Sequence, residues 1–445
     1  MCINCDTIYV FSRKQRIQLN KELNVDGIID AAIKQLYDDR KIDKPTMQAL
    51  FQSHYKPLQQ AVNEGFTNNV EYGTPNYEFL KHLQTNTAIF SIFKAHAQVK
   101  EMAALLKDKD GNLRSKEDFK TEALKVDETY NTTHLDTEYD TAVRTARLAA
   151  QWQKFEKNKK LYPNLKYLLT KASKPDEKHL QYVGIIAPVD SIFWSTHYPP
   201  NRWRCQCGVE QTDEDATDIP HDLPPVDPEF AFNAGKTGQI FDVEKSSYIK
   251  SVPAKEQPAL IKQATSFVNK EAAISAPYQT IYKSKSGTSV EAHPLAFDAP
   301  DYAESFKLAR DLANSKLPVN TIQILPYLHT KKELKHKLLP DAKKDYDPDY
   351  RIDGVLVDGK QPSGKTASKN TIKNIISHAH DQANGVIIKI DKSNYIIDEQ
   401  LYADIDNKFR NKAYDDFVLY LKYNDEWRMW NKEQWNEFYK AIKKP

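Results

Sequence analysis

The chain has 445 residues, too many for one hydrophobic core of ordinary size, so two or three domains are expected. Hydrophobic residues make up 40% and charged residues 28%, which excludes wholesale disorder, and a formal net charge of +2 gives no global field for a polyanion. No apolar run approaches the roughly 20 residues that cross a bilayer, and the N-terminus lacks a charged-then-apolar secretory pattern, so no membrane segment and synthesis in a cytoplasm are expected.

From residue 14 to about 103 the apolar positions recur at threes and fours, as in Ile28, Ile29, Ala32, Ile33 and Leu36, which predicts helices. Residues 67–75 read as a loop and 107–114 as a turn through Asp110-Gly111. Residues 139–154 form the most informative helix: Ala142, Ala146, Ala149 and Ala150 make a small-residue face that admits another helix closely, with Arg144, Arg147 and Gln151 elsewhere on the cylinder. Residues 163–167 are extended.

The stretch 193–211 is unusually dense in special residues. Pro199 and Pro200 stiffen the turn into Trp203, and Cys205-Gln206-Cys207 fits a short strand with both sulfurs on one side. With Cys2 and Cys5 these are the only cysteines, a C-x-x-C and a C-x-C, and in a cytosolic chain such pairs suggest metal or redox work. A structural zinc ion has two candidate ligand sets: all four thiolates, or a local set in which His179 or His197 joins Cys205 and Cys207. The plain alternative is four reduced, half-buried small side chains. Residues 212–228 are acidic and proline-rich, a solvated connector, and weak helix follows at 251–276.

Several ordered motifs carry a resemblance. Ala142-x-x-x-Ala146-Arg147-x-Ala149-Ala150-Gln151-Trp152 is followed by Tyr162-Pro163-Asn164-Leu165-Lys166-Tyr167. His179, Ala187-Pro188-Val189-Asp190-Ser191-Ile192-Phe193-Trp194 and Pro199-Pro200-Asn201-Arg202-Trp203-Arg204-Cys205-Gln206-Cys207 come next, then Asn233-Ala234-Gly235-Lys236-Thr237-Gly238. Together they resemble the minor head (head-morphogenesis) proteins related to the phage Mu F protein. The resemblance implies a mainly α virion or prohead component, assembled in the host bacterial cytoplasm with portal and capsid proteins as partners. The family carries an arginine before the histidine and Leu-Asp-Gly after it; here Lys178 precedes it and Gln181-Tyr182-Val183-Gly184 follow.

Beyond a boundary near residues 273–294, the pattern predicts a helix at 302–317 and a strand at 321–325. A hairpin turn at Asp353-Gly354 leads into a strand at 355–357 ending in Asp358-x-Lys360. Ser368 can cap a helix that runs to about Asn384 and is closed by Gly385, with Asn374, His378 and Gln382 on one face, and a buried strand follows at 386–390. Two chemistries fit. A metal-dependent nuclease would hold Mg²⁺ on Asp353 and Asp358 with Lys360 beside the phosphate. A metal-free RNase would use His378 and Lys360 to move the 2′-hydroxyl proton and stabilise the crowded phosphorane. The plain alternative makes Asp349, Asp353 and Asp358 turn residues. Residues 359–366 formally match a phosphate-binding loop, G-x-x-x-x-G-K-[ST], but too little chain remains for a nucleotide-binding sheet; Lys365 is kept as a phosphate contact.

Ile324-Leu325-Pro326, Leu338-Leu339-Pro340-Asp341, Pro348-Asp349-Tyr350-Arg351-Ile352-Asp353-Gly354, Asp358-Gly359-Lys360-Gln361-Pro362-Ser363-Gly364 and Ala379-x-Asp381-Gln382-Ala383 resemble the toxin nuclease domains of contact-dependent inhibition proteins, a barnase-EndoU-colicin-RelE-like group. The Asp-x-Lys spacing is shared with metal-dependent PD-(D/E)xK nucleases. The resemblance implies an RNase, commonly a tRNase, that needs no metal, and a cognate immunity protein as partner. Asp353, Asp358, Lys360, Lys365, His378 and Gln382 are the candidate catalytic residues. Trp427, Trp430 and Trp435 among lysines offer a surface for stacking bases, or else a cover for the core.

The expected architecture is multidomain: a mainly α head-morphogenesis domain at 1–250, a linker at 251–300, and a small α+β nuclease-like domain at 301–445. The expected function is a head protein carrying an RNase effector. A structural head protein with an inactive binding tail and a metal-dependent DNA nuclease are the alternatives.

Overall fold

The computed structural model describes residues 13–170, 172–343, 345–362, 367, 370–390 and 396–443. The chain folds as two compact units, Met1–Asn269 and Lys270–Pro445.

The first unit is built on six helices: α1 (Arg13–Glu22), α2 (Val25–Asp39), α3 (Lys44–Gly65), α4 (Pro75–Ala104), α5 (Lys116–Glu128) and α6 (Leu135–Asn158), with one π-helical turn, Thr129–His134, before the last. Their starts are written in the sequence. Asp43 caps α3 by accepting the Thr46 N–H at 2.8 Å, Thr74 and Ser115 do the same for α4 and α5, and prolines stand in the first turns of α3 and α4. The alanine face of α6 behaves as its spacing predicts: Ala142, Ala146, Ala149 and Ala150 are wholly buried. Opposite them Gly65 ends α3 so near that a Cβ there would lie 2.2 Å from the Val143 carbonyl oxygen. Beside this core stands a three-stranded antiparallel sheet in the order β2-β1-β3, made of β1 (Asn164–Leu168), β2 (Ile186–Pro188) and β3 (Gly208–Thr212). Trp152, Tyr167, Trp194 and Tyr198 fill the space behind it.

Helix α7 (Gln257–Ser275) carries the chain out of the first unit. The second unit is one mixed sheet of eight strands laid down in chain order: β4 (Gln279–Lys283), β5 (Ser289–Ala292), β6 (Thr321–Ile324), β7 (Tyr350–Ile352), β8 (Val355–Lys360), β9 (Gly385–Ile390), β10 (Val418–Tyr423) and β11 (Glu426–Trp430). Residues 251–300, expected as a linker, therefore hold all of α7 and the two strands that begin the sheet. The serine, lysine and glycine content that suggested a boundary belongs to the β4–β5 hairpin and its turn at Gly287.

β5 and β6, β8 and β9, and β9 and β10 pair in parallel. Parallel neighbours need crossovers, and the crossovers cover both faces. Helix α8 (Tyr302–Ala313) lies on one face, where Leu308 and Leu312 meet Val290, Ile322, Tyr350, Val357 and Ile387. Helices α9 (Thr371–Gln382), α10 (Asp398–Phe409) and α11 (Lys432–Ile442) lie on the other, packed on Val386, Ile388, Leu419 and Leu421. Buried on both faces, β9 is apolar except for Lys389, whose Nζ meets Asp311 of α8 at 2.7 Å.

Two local expectations change. Gly385 opens β9 instead of closing α9, because the helix already ends at Gln382 and Ala383 is extended. Trp430 and Trp435 are buried in the core against Phe438, so neither offers a face to a base; they cover the sheet.

Candidate active site

The site grows from a hairpin. Asp353 and Gly354 both have positive φ, 45° and 91°, the two-residue turn that matches the twist of adjoining strands. That turn sets the register: Ile352 faces Val355 and Tyr350 faces Val357. One step beyond Tyr350, Asp349 stands across from Asp358.

At that end of the hairpin the charges converge. Asp358 is 1% exposed, and its Oδ2 has the Lys360 Nζ at 2.7 Å but no hydrogen bond of good geometry. Asp349 Oδ2 accepts the Gly359 N–H at 2.8 Å. Burial, and then the negative charge of Asp358, push the Asp349 carboxyl up to about 7. Asp349 also borders a cavity of about 170 Å³ with Asp301, Tyr302, Ser305, Tyr327 and His329. Two carboxylates forced together, one cation and an adjoining cavity are what a group carrying several negative charges and its metal would need.

Asp353 stands at the opposite end of the hairpin, where its carboxylate accepts the N–H groups of Asn320 at 3.1 Å and Thr321 at 2.8 Å and fastens β6 to the turn. His378 is exposed on α9. That helix runs back towards the start of β9, where Val386 pairs with Asp358. Gln382 lies further along, partly buried. Of the phosphate-loop pattern, Gly359 and Lys360 end β8, while Lys365 falls outside the described residues, as does Ser368.

In the first unit one of the two histidines considered lies beside the cysteine pair. His179, Cys205 and Cys207 gather their ligand atoms within 4.8 Å of one another, all three buried. Cys205 and Cys207 lie in the turn before β3 rather than in a strand, and the Pro199-Pro200 bond in the preceding loop is cis. His197 is elsewhere: its ring stacks on Phe193 at 4.5 Å, beyond Tyr182, and Thr196 Oγ1 meets its Nδ1 at 2.9 Å. Cys2 and Cys5 lie outside the described residues.

Comparison with known proteins places both clusters inside recognised regions. Residues 60–210 match the family described as phage Mu protein F like protein, and residues 346–426 match the contact-dependent growth inhibition CdiA C-terminal domain. The putative capsid assembly protein F of Escherichia phage Mu is 35% identical over 75 residues, and the Mu-like prophage FluMu F protein of Haemophilus influenzae is 35% identical over 74. Each match covers 17% of this chain, and the chain spans 17% of the length of each of these relatives. No solved structure matches the chain. No helix among the described residues is long and apolar enough to cross a membrane. The chain thus carries a phage Mu F-like region followed by a region like the CdiA C-terminal domain.

Proposed function

We propose that the chain is a phage head-assembly protein whose tail is a metal-assisted nuclease acting on RNA. The observation that carries the reading is the convergence of the half-buried Asp349 and the buried Asp358 with Lys360 at one end of the hairpin. Asp349 and Asp358 would hold a divalent cation such as Mg²⁺, which when bound polarises a phosphodiester and acidifies an attacking water. The donor set fits a hard cation: both ligands are carboxylates, and the buried Asp358 Oδ2 lacks a well-formed hydrogen bond. Lys360, a third exposed and tied to Asp358, keeps a positive charge where the scissile phosphate gathers negative charge in the transition state. Tyr302, Tyr327 and His329 around the cavity give a nucleotide neighbouring that phosphate a place to stack.

RNA is the substrate that the likeness to contact-dependent inhibition tRNases suggests. The metal-free route through Lys360 and His378, which is exposed on α9, is the second reading. The Mu F-like unit would place the protein in the prohead with portal and capsid proteins, and an immunity protein would guard the producing cell.

Inducing the full chain in a bacterium and sizing total nucleic acid tests the reading. Shortened RNA with intact DNA is the expected result. Cut DNA with intact RNA would transfer the site to the DNA-nuclease alternative, and intact RNA and DNA with normal growth would leave a structural protein with an inactive tail.

A further inference from the structure

We propose that the first unit holds a zinc ion on His179 Nδ1 and the thiolates of Cys205 and Cys207. The three residues come from two segments that the fold brings together. His179 sits in the short helix Glu177–Leu180, whose start is fixed by Asp176 accepting the Lys178 N–H at 2.9 Å, while the cysteines occupy the turn that leads into β3.

Both sulfurs stand 3.6 Å from the same ring nitrogen. A tetrahedral zinc ion with bonds of about 2.3 Å to sulfur and 2.0–2.1 Å to nitrogen sets its sulfur and nitrogen ligands about 3.6 Å apart. Hydrogen bonding alone gives a poorer account. A neutral imidazole Nδ1 offers either one proton or one lone pair, so it can bond only one of the two sulfurs at a time, although Cys205 Sγ also accepts the Cys207 N–H at 3.5 Å. Convergence of two thiols on one nitrogen is natural when all three point at a common centre.

Burial agrees with a structural ion. His179 is 6% exposed, Cys205 3% and Cys207 5%, and two thiolates with a neutral imidazole balance a divalent charge in a site that water does not screen. Among the described residues no fourth histidine, cysteine or carboxylate joins the group, and the proposal assigns the fourth position to water. The ion would cross-link the loop after β1 to the loop before β3, two segments that the Arg202–Asp176 ion pair at 3.0 Å also joins. This site is independent of the carboxylate pair of the second unit.

The test is metal content of the full chain purified without chelator under reducing conditions. One equivalent of zinc is expected in the wild type and in His197→Gln, and none in His179→Gln or in Cys205→Ser with Cys207→Ser. Because those ligand variants can misfold, the wild type is also exchanged with cobalt(II), which should give the intense visible bands of a tetrahedral thiolate site. Zinc that persists in the double cysteine variant, or folded wild type that takes up neither zinc nor cobalt, would overturn the assignment.

Discussion

Asp353 and Lys360 lie at opposite ends of one hairpin, and the structure gives them separable duties. Asp353→Ala removes a carboxylate that accepts the backbone N–H groups of Asn320 and Thr321, and it puts an ordinary side chain at a φ of 45°. Hydrogen bonds to a charged acceptor are worth about 1.5–3 kcal/mol each when shielded, and the exposure of Asp353 brings the pair down to about 1–2 kcal/mol. The left-handed backbone adds about 1 kcal/mol for alanine, a cost that asparagine largely escapes. The total, about 2–3 kcal/mol, should lower the melting transition of the Lys270–Pro445 unit by roughly 4–12 °C. Asp353→Asn should lose less than half as much. Thermal unfolding of the full chain followed by near-ultraviolet dichroism, paired with a cleavage assay below the transition, gives both numbers. Cleavage by Asp353→Ala should stay within about threefold of wild type, well short of the loss that removing a metal ligand brings. A variant that melts normally yet no longer cleaves would make Asp353 a member of the active site and remove the basis for the Asp349–Asp358 assignment.

The remaining expectations bear on each unit. Lys360→Ala should lower the cleavage rate about 10²–10³-fold with the fold intact, since its ion pair is partly solvated, and unchanged cleavage would exclude it from the chemistry. Gly65→Ala should destabilise the first unit by about 1–3 kcal/mol, because α3 and α6 must separate to clear the Val143 carbonyl; a neutral result in urea would refute the close crossing. Stability of the first unit should also fall with acid. Burial, as the leading cause, lowers the imidazoles of His54, His96 and His134, so below about pH 6.5 the unfolded chain binds protons that the folded one refuses. Each contributes up to about 1.4 kcal/mol per pH unit until its own folded titration point is reached, and a melting temperature flat between pH 8 and 5.5 would contradict this.

Much of this arrangement is legible in the sequence. The alanine spacing of α6 predicts its buried face, and Asp353-Gly354 predicts the two-residue turn. Counting outwards from that turn also places Asp349 opposite Asp358, a signal in the sequence that goes unused when the aspartates are weighed one by one. The face of Asn374, His378 and Gln382 has the same spacing whether it points at a site or at water, so spacing alone does not assign it. The pairing of His179 rather than His197 with the cysteines had no local signal: it depends on where a short helix docks against the turn before β3, which is a matter of tertiary packing. The two strands that open the large sheet were missed because β4 and β5 are short and polar, and only β6 alongside them makes them recognisable.

The most direct measurement is cleavage of RNA by the purified full chain with and without chelator. Activity that EDTA abolishes, that Mg²⁺ restores, and that Asp349→Asn and Asp358→Asn each lose is the predicted outcome. Undiminished cleavage in EDTA by those same variants would contradict it.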